Sequence, residues 1–129
     1  MQVHGPEDND AKFGFGGLDR SILEHDIAAV VVGFDGAATY YKIAKACTYL
    51  RYKPECAFIA TNRDLTFPDE HLMLPGGGTM VAAVEAGSGR SPDVVAGKPS
   101  ANLLEIVEAA TGVPRDRIGM IGDRLDTDI

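Results

Sequence analysis

No apolar run in this sequence reaches the ~18–20 residues that a membrane-spanning helix requires. The longest strongly apolar stretch, Ile27 to Phe34, has the length of a strand. Basic clusters are also lacking. Lys and Arg number 12 against 19 Asp and Glu, for a net charge of −7, and no group of cations gathers to neutralise a phosphate backbone. This excludes a typical nucleic-acid binder. A small anionic ligand is still compatible, because one lysine or one helix N-terminus acts locally against the overall field. Cysteine occurs only twice, as Cys47 and Cys56, too few for a disulfide scaffold in so short a chain. His4, His25 and His71 have no metal-ligand spacing, so zinc is not expected. Met1 to Asp10 lacks the basic and apolar regions of a signal peptide. No repeat or low-complexity tract is visible. The expected setting is reduced and cytoplasmic, or organellar if a transit peptide precedes Met1.

The chain has 129 residues, 45% of them hydrophobic and 24% charged, which fits one small domain or parts of two. Residues 1–26 read as glycine-punctuated loop. Ala28 to Phe34 is continuously apolar and β-branched, the pattern of a strand in a parallel sheet. Thr39 to Tyr52 is amphipathic, with Tyr40, Ile43, Ala44, Cys47 and Leu50 on one stripe and Pro54 beyond its end. Cys56 to Ala60 is a second apolar strand, which completes a βαβ unit. Thr61 to Gly78 reads as irregular. A short helix is expected from Thr79 to Ala86, with Thr79 as N-cap and Gly87 past its end. Val94 to Ala96 is expected as a third strand, Ser100 to Ala110 as a capped helix ended by Gly112 and Pro114, and Ile118 to Ile121 as a fourth strand. The two βαβ units need not share a sheet, and a junction is expected between Gly87 and Val94.

Three residues of the second unit can converge. Lys98 follows the third strand and Asp123 the fourth, and parallel strands present both at the carboxyl edge, where open α/β sheets bind ligands. Asp128 lies five residues beyond Asp123, within reach of a turn. Lysine supplies a compact charge to phosphate oxygens, and carboxylates suit Mg²⁺, which keeps waters and phosphate in its shell. Alone, each residue has a plainer role, as a turn acid, an N-cap or a solvated lysine. Gly76, Gly77 and Gly78 lack the Lys-Ser/Thr of a P-loop and read as a flexible connector. Cys47 and Cys56 read as core. Tyr40 and Tyr41 read as packing groups. Arg124 reads as a tie to a neighbouring acid such as Asp126.

The motifs GKPS (97–100) and GDRLDTDI (122–129) resemble the third and fourth motifs of the haloacid-dehalogenase-like phosphatases. VVVGFD (30–35), FIATNRD (58–64) and PGGGTMVAAVE (75–85) resemble the C2-type cap of that superfamily's phosphoglycolate, pyridoxal-phosphate and 4-nitrophenyl-phosphate phosphatases. GPEDN (5–9) resembles a segment of the plant and algal phosphoglycolate phosphatases. The resemblance implies an α/β fold with a partial C2-type cap over residues 1–93. Residues 94–129 would then be the start of the second part of a Rossmann-like core, carrying motifs three and four only. It implies that Lys98 neutralises phosphate and nucleophile, that Asp123 is a direct Mg²⁺ ligand and that Asp128 supports the metal shell. Thr61, Asn62, Arg63 and Asp64 match the cap's substrate-specificity loop.

One departure bears on activity. The family nucleophile is the first Asp of an Asp-x-Asp motif after a buried strand. Asp8 and Asp10 have that spacing but no such strand before them. The chain therefore reads as a fragment with the lysine and metal half of a phosphatase site, and on its own it is expected to turn over nothing, since metal and lysine cannot replace in-line attack. The expected ligand is a small phosphorylated metabolite, with neither nucleic acid nor membrane as partner, and the resemblance implies a homodimer through the cap. The pyridoxal-phosphate enzymes carry a histidine near the end of the specificity loop, where this chain has Phe67. That and GPEDN favour 2-phosphoglycolate over pyridoxal phosphate or 4-nitrophenyl phosphate. A non-catalytic anion-binding module and a dimerisation element are the competing readings.

Overall fold

The computed structural model of the chain describes residues 8–10, 14, 18–24, 26–97 and 101–121. Three strands form one parallel sheet in the order β1 (Ala29–Val32), β2 (Ala57–Ala60), β5 (Val94–Val95). Val30 pairs with Phe58 and Val32 with Ala60, while Ile59 pairs with Val94 and Ala60 with Val95. The third expected strand thus joins the sheet of the first βαβ unit, and the position between residues 93 and 94 lies at the entry to it. The parallel α/β architecture read from the apolar runs is the one observed.

Helix α1 (Tyr40–Tyr52) starts where Thr39 Oγ1 accepts the Lys42 amide at 3.2 Å, an ordinary N-cap. Its packing face differs from the expected stripe. Tyr49 and Leu50 are buried, whereas Tyr40 is 65% exposed and the helix meets the core only from Ile43 onward. The Tyr49 hydroxyl donates to the Ile22 carbonyl of the 3₁₀ turn Arg20–Glu24, which gives a buried polar group its partner.

Helix α2 (Gly77–Ser88) begins two residues before the expected start, with Gly76 rather than Thr79 at the N-cap, and ends at Gly89 in the left-handed conformation (φ +75°). Thr79 is the third helical residue, and its hydroxyl instead faces the Leu65 carbonyl. Both helices lie against the face of the sheet that carries Val32, Phe58 and Ala60. Together with Tyr49, Leu50, Cys56, Val81 and Val84 these residues make the core. Cys56 is fully buried and Cys47 partly so, and burial pushes both thiols up, which disfavours the thiolate.

The segment read as irregular contains an antiparallel hairpin, β3 (Thr66–Pro68) and β4 (Met73–Pro75), closed by the Asp69 amide on the Leu72 carbonyl at 2.8 Å. Each strand has three residues and ends in proline, which removes a ladder donor and disguises the strand in the sequence. Helix α3 (Ala101–Thr111) is ended by Gly112 (φ +69°), as expected. Its Glu105 and Glu108 pair with Arg115 at 3.2 and 2.9 Å. The fourth strand expected over Ile118–Ile121 does not form. No described strand lies beside those residues, and without a partner ladder an apolar run stays irregular, with Ile121 fully exposed.

At the amino edge of the sheet, Arg90 joins the elements. Its guanidinium donates to the carbonyls of Cys56 (3.0 Å), Leu50 (3.3 Å) and Pro54 (3.4 Å) and pairs with Asp93 at 3.1 Å. The Asp93 carboxylate in turn accepts the Phe58 amide at 2.7 Å. The amide of Phe58 at this charge, more than Arg90, holds the Asp93 carboxyl below its usual range.

Candidate active-site edge

The carboxyl edge of the sheet assembles four segments. β1 leads to Gly33, Phe34 and Asp35, β2 to Thr61–Asp64, β5 to Ala96 and Gly97, and the N-terminus of α2 supplies Gly76–Gly78. The Thr61 amide donates to the Val32 carbonyl at 2.8 Å and the Ala96 amide to the Ala60 carbonyl at 2.8 Å, which sets both exits in register.

The loop Thr61–Asp64 is held by backbone. The Gly78 amide, one of the free donors of the first helical turn, donates to the Asp64 carbonyl at 2.8 Å, and the Gly76 amide donates to the Leu65 carbonyl at 2.8 Å. Asn62 Oδ1 accepts the Asp64 amide at 3.1 Å and closes the turn. The glycines are required by contact. A Cβ on Gly78 would stand 2.5 Å from the Arg63 carbonyl oxygen, and one on Gly76 or Gly97 would overlap the carbonyl of Asp64 or Thr61. The triple glycine is therefore a packed helix start and not the flexible connector expected from the sequence.

The side chains of the loop face different ways. Arg63 pairs with Glu85 of α2 at 2.9 Å, and 51% of its side chain is exposed. The adjacent carboxylate, Asp64, is not its partner. Asn62 is half-buried at the start of α2, and Thr61 and Asp64 are exposed. Beside the loop, Phe34 and Phe67 meet edge to face with centroids 5.2 Å apart, and Phe34 is 57% exposed. This pair gives the edge an aromatic wall. Asp35 accepts Lys42 Nζ at 2.6 Å and the Ala37 amide at 2.8 Å. The lysine, then the amide, holds its carboxyl below the usual range.

Thr61, Asn62, Arg63 and Asp64 thus lie in one turn at this edge, with Arg63 directed to Glu85 and Asn62 to the Asp64 amide. Lys98, Asp123 and Asp128 lie outside the described residues. Gly97 is described and ends at this edge, one residue before Lys98. Among the described residues no group of three or more His, Cys, Asp or Glu side chains could hold a metal ion, and no helix is long and apolar enough to cross a membrane. Two contributors to the edge were not singled out as site residues from the sequence. Phe34 follows a strand like any apolar residue, and Glu85 reaches Arg63 across 22 residues with no local pattern to announce it.

Residues 95–129 match the family described as HAD-hydrolase-like. Over 107 residues the chain is 46% identical to Phosphoglycolate phosphatase 1A, chloroplastic, of Arabidopsis thaliana, covering 82% of this chain and 29% of that protein. It is 44% identical over 108 residues to the Glycerol-3-phosphate phosphatase of Rattus norvegicus, covering 83% of this chain and 33% of that protein. The crystal structure of 4-nitrophenylphosphatase from Thermotoga maritima superposes with a TM-score of 0.71 at 41% identity, over 81% of this chain and 40% of that one. Residues 95–129 thus carry the mark of the HAD-like hydrolases, and the relatives that match across most of the chain are phosphatases. The chain spans about a third of the length of the curated relatives it matches.

Proposed function

We propose that this chain serves the hydrolysis of a phosphate monoester, with 2-phosphoglycolate as the favoured substrate. The observation that carries the proposal is the 61–64 loop. It is clamped at the carboxyl edge by the first turn of α2, carries a half-exposed guanidinium paired with Glu85, and has the Phe34–Phe67 pair near its backbone. A phosphate ester bearing a second anionic group suits that guanidinium, because Arg recognises carboxylate through paired donors. Phe67, which cannot donate to a pyridine ring, argues against pyridoxal phosphate. The names of the relatives support the reaction class, and they include glycerol-3-phosphate phosphatase, so glycerol 3-phosphate is the second candidate.

In this reading Lys98 takes the phosphate charge, and Asp123, with support from Asp128, holds a Mg²⁺ ion. A hard cation with oxygen ligands there supplies charge neutralisation at the phosphoryl group. The attacking carboxylate is not among these residues. The 129-residue chain alone is therefore expected to release no phosphate above buffer. Residues 1–93 would act as the C2-type cap, and 94–129 as part of the core. The test is to read the source transcript on the 5′ side of Met1 and assay the encoded protein. A strand ending in Asp-x-Asp, with phosphate release from 2-phosphoglycolate faster than from glycerol 3-phosphate, 4-nitrophenyl phosphate or pyridoxal phosphate, supports the proposal. Loss of that activity in Lys98→Ala places the lysine in it. A stop codon with no such motif, or no phosphate release from any of the four, overturns it.

A further inference from the structure

We infer that Glu85 is a positioning residue for the Arg63 guanidinium, and through it for the outer end of the 61–64 loop. The inference rests on the reading of that loop as the substrate contact. The backbone of the loop has its own holds, at Gly78 to Asp64 and Asn62 to Asp64. The Arg63 side chain has none of these. Among the described residues its polar partner is Glu85, through a single Nη2 to Oε1 contact at 2.9 Å. One donor of the fork is used and the rest face outward from a side chain that is 51% exposed. A long, rotamer-rich side chain at such a site would otherwise sample many directions, and an arginine reads a carboxylate only when its plane is aimed.

Glu85 can aim it because its helix does not move easily. The neighbouring Val84 and Val81 are in the core, at 3% and 1% exposure, and Glu85 itself is only 24% exposed in its side chain. The same helix clamps the loop backbone at its first turn and the loop cation at its third. Both ends of the loop's geometry are therefore referred to one rigid element. The arrangement fits a ligand whose carboxylate meets the free edge of the guanidinium while its phosphate lies toward the sheet edge.

The test uses the whole 129-residue chain and two readouts, amide hydrogen exchange of residues 62–65 and the Arg63 Nε–H resonance. Glu85→Gln is expected to speed exchange about two- to fivefold, the upper half of what an exposed ion pair supports, and to broaden the Arg63 signal at unchanged Tm. Arg63→Gln gives the same exchange effect and serves as the second variant. The double exchange Arg63→Glu with Glu85→Arg is expected to restore amide protection. Unchanged exchange in both single variants, or no recovery in the double variant, overturns the inference. Titration with 2-phosphoglycolate and with inorganic phosphate separates it from the substrate reading. If exchange responds as stated but neither probe shifts Arg63, the pair stands and the substrate role of the loop fails. If 2-phosphoglycolate shifts Arg63 while exchange is unchanged in the variants, the positioning role fails and the substrate role stands.

Discussion

Arg90 is the residue on which most unlike elements depend. It satisfies carbonyls at the end of α1 and at the start of β2, and it pairs with Asp93 just before β5. Arg90→Ala leaves those acceptors without their charged donor. We expect a loss of about 2 kcal/mol, in line with charge-assisted hydrogen bonds in partly buried settings, read from the urea midpoint at constant m. Asp93 makes this corner pH-sensitive. Its folded pKa is depressed, chiefly by the Phe58 amide, so its contribution is fully present above the unfolded value and is lost as pH falls through the folded one. Asp35, depressed chiefly by Lys42, behaves in the same direction. Stability is therefore expected to fall below about pH 4. The fall should be shallower in Asp93→Asn, measured as urea midpoints at pH 7 and pH 3.

At the scale of elements, α2 is defined by its two ends, and glycine serves them for different reasons. Gly78 has no room for a Cβ because the Arg63 carbonyl would lie 2.5 Å away. Gly89 has open space but a left-handed backbone (φ +75°). Gly78→Ala should thus cost more than Gly89→Ala, despite the better helix propensity of alanine. We expect about 2–3 kcal/mol against about 1 kcal/mol in thermal unfolding, from overpacking and from αL strain respectively. Gly78→Ala should also speed amide exchange across residues 61–65, because the helix start and the loop cannot both keep their places. An equal cost for the two substitutions would mean that the clamp is slack. The hairpin β3–β4 and the true start of α2 were hidden in the sequence for related reasons. Proline at both strand ends and three glycines in succession carry the signature of loop, and only the neighbours that fill the space around them give these residues their regular structure.

At the scale of the molecule, the described core is small. Eight buried residues make it, and Phe58 is the largest that is fully enclosed. Phe58→Ala is expected to cost about 3–5 kcal/mol. That is comparable to the low end of total domain stability, ~5 kcal/mol. A collapse of the cooperative unfolding transition at 25 °C is therefore predicted, seen by circular dichroism. Retention of a sharp transition would show that other parts of the chain carry stability independent of this core.

The apolar runs Ala28–Phe34 and Cys56–Ala60, with the amphipathic Thr39–Tyr52 between them, determined by themselves that a parallel βαβ unit exists. Residue type and short-range periodicity are enough to bury a strand on a helix. The motif TNRD pointed to Thr61–Asp64 only through its resemblance to a known specificity loop. Tertiary structure alone decided that β5 joins the same sheet, that Gly76–Gly78 clamp the loop, and that Arg63 turns to Glu85 and not to its neighbour Asp64. Each of these is a contact between residues far apart in the chain. Its outcome depends on which surfaces meet once the core has closed, and no local pattern of side chains encodes that.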